Sequence, residues 1–269
     1  MASALSGRTD RSSPIVPQRA ISGPLTMVAA SSAPIGTPDR LEPAMPILSL
    51  ARLDCVFFDF DGVIADSVDA KVHAFGELYR PFGEDVRAAV EAYQRAVPGE
   101  TRYEKIPKFH RELLGVTLSA EDVASWCARL GDLVLDVVVE SPLLPDVIDV
   151  LEELRSVGIP SHVVSGTPHD ELAIILVRKR LGHYFRSVEG APRRKEPIVE
   201  KLLDTYRLDP ARCLFVGDAM TDYRCAAACS IPFLGRADPL DSPFPPGTWV
   251  VERLGQAFPV KRPDLRRAA

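Results

Sequence analysis

The chain has 269 residues, 46% hydrophobic and 26% charged, with a net charge of −5 and a sequence pI of about 5.6. That length suits one large domain or two modest ones. The acidic balance offers no strong basic field for nucleic acid or an anionic membrane, and no apolar run approaches the ~18 residues of a membrane span.

Residues 1–47 are rich in Ser, Pro and Ala and lack sustained periodicity, which reads as a disordered leader. It lacks the charged, apolar and cleavage regions of a secretory signal. Arg8, Arg11 and Arg19 weakly suggest an organelle transit peptide, against which the prolines argue; a later start at Met27 or Met45 fits equally well. From Leu53 onward, strands and helices alternate. Cys55 to Phe58 is a short, fully buried strand. Residues 68 to about 139 carry apolar positions three and four apart (Val72, Phe75, Leu78, Tyr79; Val123, Trp126, Leu130, Leu133, Val134), so a long helical insertion follows a single strand. Pro142 and Pro145 bracket its exit, and Asp146 to Val157 forms an amphipathic helix stopped by Gly158.

Ser161 to Val164 reads as the second strand, ending in Ser165-Gly166-Thr167, with Thr167 capping a helix that has Pro168 at its first position and runs to about Leu181. A short strand is expected near Ser187 and Val188, a helix from Pro197 to Tyr206, a strand from Cys213 to Val216, a small-residue helix from Ala219 to Cys229 and a strand from Ile231 to Leu234. Short apolar strands alternating with helices imply an α/β fold, a Rossmann-like parallel sheet covered on both faces. The core is assigned to 53–66 and 142–258, with 67–141 inserted as a helical cap.

Five cysteines, Cys55, Cys127, Cys213, Cys225 and Cys229, are odd in number and sit mostly in apolar segments, which argues for reduced thiols in the cytoplasm. Cys225 and Cys229 have helical spacing but no further Cys or His at zinc-site spacing, so packing against a sheet is their simpler role.

Ligands bind such sheets at the carboxyl ends of the strands. The first strand ends in Asp59 and Asp61, which lean to the same side of an extended chain. Two carboxylates so close should leave at least one with a raised pKa unless a cation offsets them; a polar loop capping the next helix is the plainer reading. Ser165 and the open amide of Gly166 end the second strand, Asp218 ends a later one with Asp222 four residues on, and Lys195 lies in the connection between, ahead of a helix. Singly, Ser165 could cap a helix, Lys195 could belong to a solvated basic turn, and Asp218 and Asp222 could serve a helix N-terminus. Together, three or four carboxylates at one edge call for a hard, oxygen-loving cation, Mg²⁺ above all. The cation, lysine, hydroxyl and amides would jointly suit a phosphate dianion.

Over residues 53 to about 235 the sequence resembles the haloacid dehalogenase superfamily, in its phosphatase branch with a helical cap after the first strand, the phosphoglycolate phosphatase and beta-phosphoglucomutase type. Asp59-Phe60-Asp61-Gly62-Val63 looks like the nucleophile motif, Ser165 ends the second motif strand, Lys195 matches the third and Gly217-Asp218-Ala219-Met220-Thr221-Asp222 the fourth. The dehalogenases and phosphonate-cleaving relatives lack the second aspartate, so Asp61 marks a phosphoryl-transfer member.

The resemblance implies two-step covalent catalysis on a small phosphorylated substrate. Asp59 attacks phosphorus; Asp61, protonated, donates to the leaving oxygen and later takes a proton from water, its pKa brought near working pH by a neighbouring carboxylate. Asp59, Asp218 and the backbone carbonyl of Asp61 would hold Mg²⁺, with Asp222 orienting metal-bound waters or Lys195. Lys195, Ser165 and the Gly166 amide would neutralise the phosphate oxygens. The insertion would close over the site and read the leaving group. Within it, Arg102 is the candidate specificity contact, to a second anionic group or sugar hydroxyls, and equally fits a solvated helix start. A beta-phosphoglucomutase-type mutase shares every core motif. A non-catalytic binding protein on the same fold is disfavoured because no catalytic position is lost.

Overall fold

The computed structural model describes residues 49–259; the leader at 1–47 and the basic tail from Lys261 lie outside the described residues. The sheet contains β1 (Cys55–Phe58), β2 (Ser161–Pro168), β3 (Phe185–Ala191), β4 (Cys213–Gly217), β5 (Phe233–Arg236) and β6 (Val250–Val251). Its spatial order is β3-β2-β1-β4-β5-β6, with every pairing parallel. Four helices follow β1, namely α1 (Val68–Tyr79), α2 (Glu84–Ala96), α3 (Arg102–Leu113) and α4 (Ala120–Glu140). Then α5 (Val147–Ser156), α6 (His169–Arg178), α7 (Lys195–Tyr206) and α8 (Met220–Ala228) alternate with the remaining strands.

The uninterrupted apolar strands have a direct physical reason. Successive side chains point to opposite faces of a sheet, and here both faces are covered. Val56 and Phe58 join Val163, Leu214 and Val216 on one face, under Leu151 and Leu154 of α5 and Leu172, Ile175 and Leu176 of α6. Cys55 and Phe57 join Val164, Cys213 and Phe215 on the other, under Ile198, Val199 and Leu202 of α7 and Cys225 and Ala226 of α8. Cys225 and Cys229 are therefore packing residues, and all five cysteines are free and buried. Truncating a buried aromatic such as Phe57 removes contacts worth ~3–5 kcal/mol.

The chain winds outward from β1 to β2 and β3 on one side, then crosses back to β4 on the other. The switch in strand order therefore falls between β1 and β4. Helices α1 to α4 pack on one another through an aromatic cluster in which Tyr79 meets Phe109 edge-on at 5.5 Å and stacks on Trp126 at 5.8 Å. The chain leaves for these helices and returns from them side by side: the Asp66 amide donates to Pro142 O at 2.9 Å, the Leu144 amide to Ile64 O at 3.0 Å, and Ala65 bridges Leu143 antiparallel. Among the described residues no helix is long and apolar enough to cross a membrane.

Three local expectations change. Strand β2 runs on to Pro168 and pairs with Gly190 and Ala191 of β3, so Pro168 is the N-cap of α6 rather than its first residue. A proline disfavours the helical region for the residue before it, which keeps Thr167 extended. Helix α6 ends at Arg178, because Arg180 takes a positive φ of 59°. Lys195 lies in the first turn of α7 instead of ahead of it.

Candidate active site

Asp59 follows β1 and Asp218 follows β4, neighbours at the switch in strand order, where a doubly wound sheet opens a crevice for ligands. Asp59 is fixed from both sides. Its backbone amide donates to Val216 O at 2.9 Å, extending the sheet, and its Oδ1 accepts the Phe60 amide at 2.7 Å. Its Oδ2 lies 2.9 Å from Lys195 Nζ, which also donates to Asp222 Oδ1 at 2.5 Å. Asp222 is fully buried, and its other oxygen accepts the Ala219 amide at 3.1 Å at the start of α8. Gly62 is required beside this group, for its φ is +73° and a Cβ there would stand 2.1 Å from Asp218 Oδ2.

Burial, with Asp222 and Asp61 nearby, pushes the Asp59 carboxyl up to about 6 against the opposing pull of Lys195. Burial also works against the Lys195 charge, but Asp222 and Asp59 override it and raise its pKa. Asp218 is raised well above the usual carboxylate range by burial and by Asp59 and Asp222, and it has no hydrogen-bond or ion-pair partner among the described residues. Carboxylate oxygens of Asp59, Asp218 and Asp222 lie within 4.8 Å of one another. A carboxylate trio with Asp59 and Asp222 buried and the part-exposed Asp218 unmatched is short of positive charge, and a hard divalent cation with oxygen ligands fits that deficit.

Asp61 departs from expectation. Its carboxylate turns away from this trio: Oδ1 accepts Ser67 Oγ at 2.6 Å, and Oδ2 accepts Thr167 Oγ1 at 2.9 Å and pairs with Lys71 Nζ. Lys71 also donates to Thr167 Oγ1 at 2.6 Å. Burial alone would raise Asp61; the Lys71 ammonium and the two hydroxyls more than reverse this and hold its carboxyl below the usual range. A protonated Asp61 raised by a neighbouring carboxylate is thus corrected: the carboxylates that rise are Asp59 and Asp218. With its side chain committed, Asp61 has only its backbone carbonyl left for a metal.

Ser165, Gly166 and Thr167 line the same cavity as Asp59, Asp61 and Asp218, and Ser165 Oγ accepts the Thr167 amide at 3.2 Å. The cavity measures about 70 Å³, and its opposite wall is built by the inserted helices, from Lys71, Phe75, Gln94 and Arg102. Arg102 is also corrected. Nη1 and Nη2 form a fork onto Glu171 of α6 at 2.7 and 2.8 Å, and Nη1 also donates to Cys127 O at 3.0 Å. The side chain is only 6% exposed, so it is neither a solvated helix start nor a free contact for substrate. Sequence reasoning missed Lys71, Thr167 and Gln94. The one available signal was Lys71 one helical turn after Ser67 on the helix that follows Asp61.

Fold and site together place the strand-end carboxylates Asp59 and Asp218 and a buried lysine at the crevice of an α/β sheet. The family described as haloacid dehalogenase-like hydrolase matches residues 53–230, and the chain belongs to that family. It is 26% identical over 198 residues to phosphoglycolate phosphatase 1 of Pseudomonas aeruginosa, covering 70% of this chain and 71% of the relative. It is 24% identical over 190 residues to the protein CbbY of Rhodobacter capsulatus, covering 67% of this chain and 83% of that one. The solved structure of CbbY from Rhodobacter sphaeroides in complex with xylulose-1,5-bisphosphate shares the fold, with a TM-score of 0.58, 15% identity, and coverage of 77% of this chain and 99% of that one.

Proposed function

We propose that the chain is a Mg²⁺-dependent phosphatase of a small phosphorylated metabolite, working through an aspartyl-phosphate on Asp59. The observation that carries this reading is Asp59, bridged by Lys195 to Asp222, beside the unmatched Asp218, with Asp59 and Asp218 lining one cavity together with Ser165 and Gly166. Asp59 attacks phosphorus with Oδ2, while the Phe60 amide holds Oδ1 and sets the carboxylate's angle. Lys195, Ser165 and the Gly166 amide take the charge on the phosphoryl oxygens. Asp59, Asp218 and the Asp61 carbonyl would hold Mg²⁺, which supplies further charge neutralisation for the phosphate.

Asp61 is the proton carrier. Held ionised by Lys71, Ser67 and Thr167, it is poised as the base that takes a proton from water in the second step. Its acid role in the first step needs a proton gained when the Lys71 contact loosens. We assign residues 67–141 as the cap: they supply the wall opposite Asp59, so they meet the leaving group. The relatives named phosphoglycolate phosphatase support a small leaving group, as does the cavity size. Five buried free thiols fit a reducing compartment such as the cytoplasm.

The test is inorganic phosphate release across a panel of phosphorylated metabolites, with and without Mg²⁺, using Asp59→Asn as the blank. Metal-dependent release above that blank supports the reading; release equal to the blank from every compound overturns it.

A further inference from the structure

Cys55 opens β1 and Cys213 opens β4, at the end of the sheet away from the crevice. They are direct partners in the parallel pairing of the two strands. Neighbouring strands stand about 4.8 Å apart, within the Cα separation of about 4.4–6.8 Å that a disulfide spans. Both side chains point to the face covered by α7 and α8, and Cys55 Sγ donates to Cys213 Sγ at 3.4 Å, across 158 positions of the chain. Closing that gap to an S–S bond of about 2.05 Å takes rotation of the side chains and leaves the strand register in place.

The pair is asymmetric. Cys213 Sγ accepts from the Cys55 thiol, which lowers its pKa against burial and the nearby Asp54 and Asp209 carboxylates, so Cys213 reaches the thiolate first. Neither side chain is exposed, yet the surface is one residue away. Asp54 and Arg212, just before the two cysteines, pair at 2.7 Å with side chains 30% and 53% exposed. Exposed ion pairs hold weakly, so this clasp opens at small cost to a reagent little larger than water. We propose that Cys55 and Cys213 form a redox site, a dithiol that a hydroperoxide oxidises to a disulfide joining β1 to β4. The Cys213 thiolate attacks the peroxide, the O–O bond breaks, and the departing hydroxide leaves as water with the Cys213 proton. Cys55 then attacks the Cys213 sulfenic acid, the S–O bond breaks, and a second water leaves with the Cys55 proton. Two thiols have lost two electrons and one hydrogen peroxide has become two waters. Asp59 and Asp218 stand at the far ends of the same strands, so the bond braces the scaffold of the candidate site without touching it.

The test treats the folded full chain with hydrogen peroxide, alkylates without reduction and maps the cross-links by mass spectrometry. The expected result is a bond between the Cys55 and Cys213 peptides, with two of the five thiols lost to alkylation and both restored by dithiothreitol. Because the bond closes a long loop, Tm without reductant should rise by about 5 °C or more. Cys225→Ala should behave as the parent. Cys55→Ala should stop at a Cys213 sulfenic acid, trapped by dimedone, with no rise in Tm; Cys213→Ala should leave Cys55 unreacted. If either of these two variants fails to fold, the map and Tm of the parent and of Cys225→Ala decide the matter. Three results overturn the proposal. One is a folded chain that keeps all its thiols under peroxide while the urea-unfolded chain loses them. Another is a cross-link from Cys225 to Cys229, or between two chains, in place of the expected bond. The last is a Cys55–Cys213 bond that leaves Tm unchanged.

Discussion

Arg102 and Glu171 tie the inserted helices to the sheet side of the molecule, and removing either partner should be felt as stability. The guanidinium is 6% exposed and the carboxylate 20%. Breaking a fully buried ion pair by deleting one partner costs ~3–5 kcal/mol. Glu171 keeps some contact with water, which hydrates part of what is left behind, so Glu171→Ala should cost about 2 kcal/mol. Arg102→Met also strips the bond to Cys127 O but leaves an apolar chain in place, and the same magnitude of ~2 kcal/mol is expected. At 2–4 °C per kcal/mol for a chain of this size, each lowers Tm by roughly 4–8 °C. The double variant removes two charges together, so it should cost less than the sum, with a coupling of ~1–2 kcal/mol. Urea unfolding of the four proteins reads this directly. Additive effects within ~0.5 kcal/mol would refute the pairing. So would an Arg102→Met protein of unchanged stability with an altered substrate ranking, since that is the signature of a free substrate contact.

Asp59→Asn should abolish phosphate release with the melting curve intact, and Asp61→Asn should slow it by ~10²–10⁴. Asp218→Asn removes an unmatched carboxylate crowded by Asp59 and Asp222, so the metal-free protein should melt higher than the parent at neutral pH, and any Mg²⁺-induced rise in Tm should vanish. In the metal-free protein the Asp59 carboxyl is raised from 3.8 to about 6, and it must be ionised to hold a cation; Mg²⁺ binding, read as the Mg²⁺-induced rise in Tm, should therefore weaken below about pH 6. The same shift gives the folded state the higher proton affinity, so metal-free stability should decline as pH rises from 3.8 through about 6, the opposite of a salt-bridged carboxylate. Lys71→Gln withdraws the cation that holds Asp61 down, so the acidic limb of the pH–kcat profile should move to higher pH.

The sheet was legible because its strands are short, apolar and spaced by helices. Cys55–Phe58 needed no correction at either end, since Asp54 and Asp59 bracket it with polar residues. Strand β6 was not legible: Val250–Val251 is two residues long and strand only because Gly235 and Arg236 lie beside it. Asp59 and Asp218 could be placed together on paper because each follows a strand of a parallel sheet. Lys71, Glu171 and Lys105 could not. Each is a charged residue in a helical run, and sequence offers no way to tell that it meets Asp61, Arg102 or Gln94 across 10, 69 and 11 positions respectively. The direction of the Asp61 shift was lost for the same reason, since it turns on a cation from a helix whose packing is tertiary.

The paired linkers at Ile64–Asp66 and Pro142–Leu144 have a consequence for how such a chain diversifies. The chain passes between the sheet and the long helical excursion as two neighbouring backbones already hydrogen-bonded to each other. Seen from β1, the excursion closes like a hairpin, whatever lies beyond its neck. Lengthening or exchanging the contents of such a closed excursion changes closure entropy by only ~0.6 kcal/mol per doubling. The neck thus works as a fixed socket: residues beyond it can be rewritten for a new leaving group while Asp59 and Asp218 keep their places after β1 and β4 and Lys195 its place in α7, provided the ties Lys71–Asp61 and Arg102–Glu171 are kept.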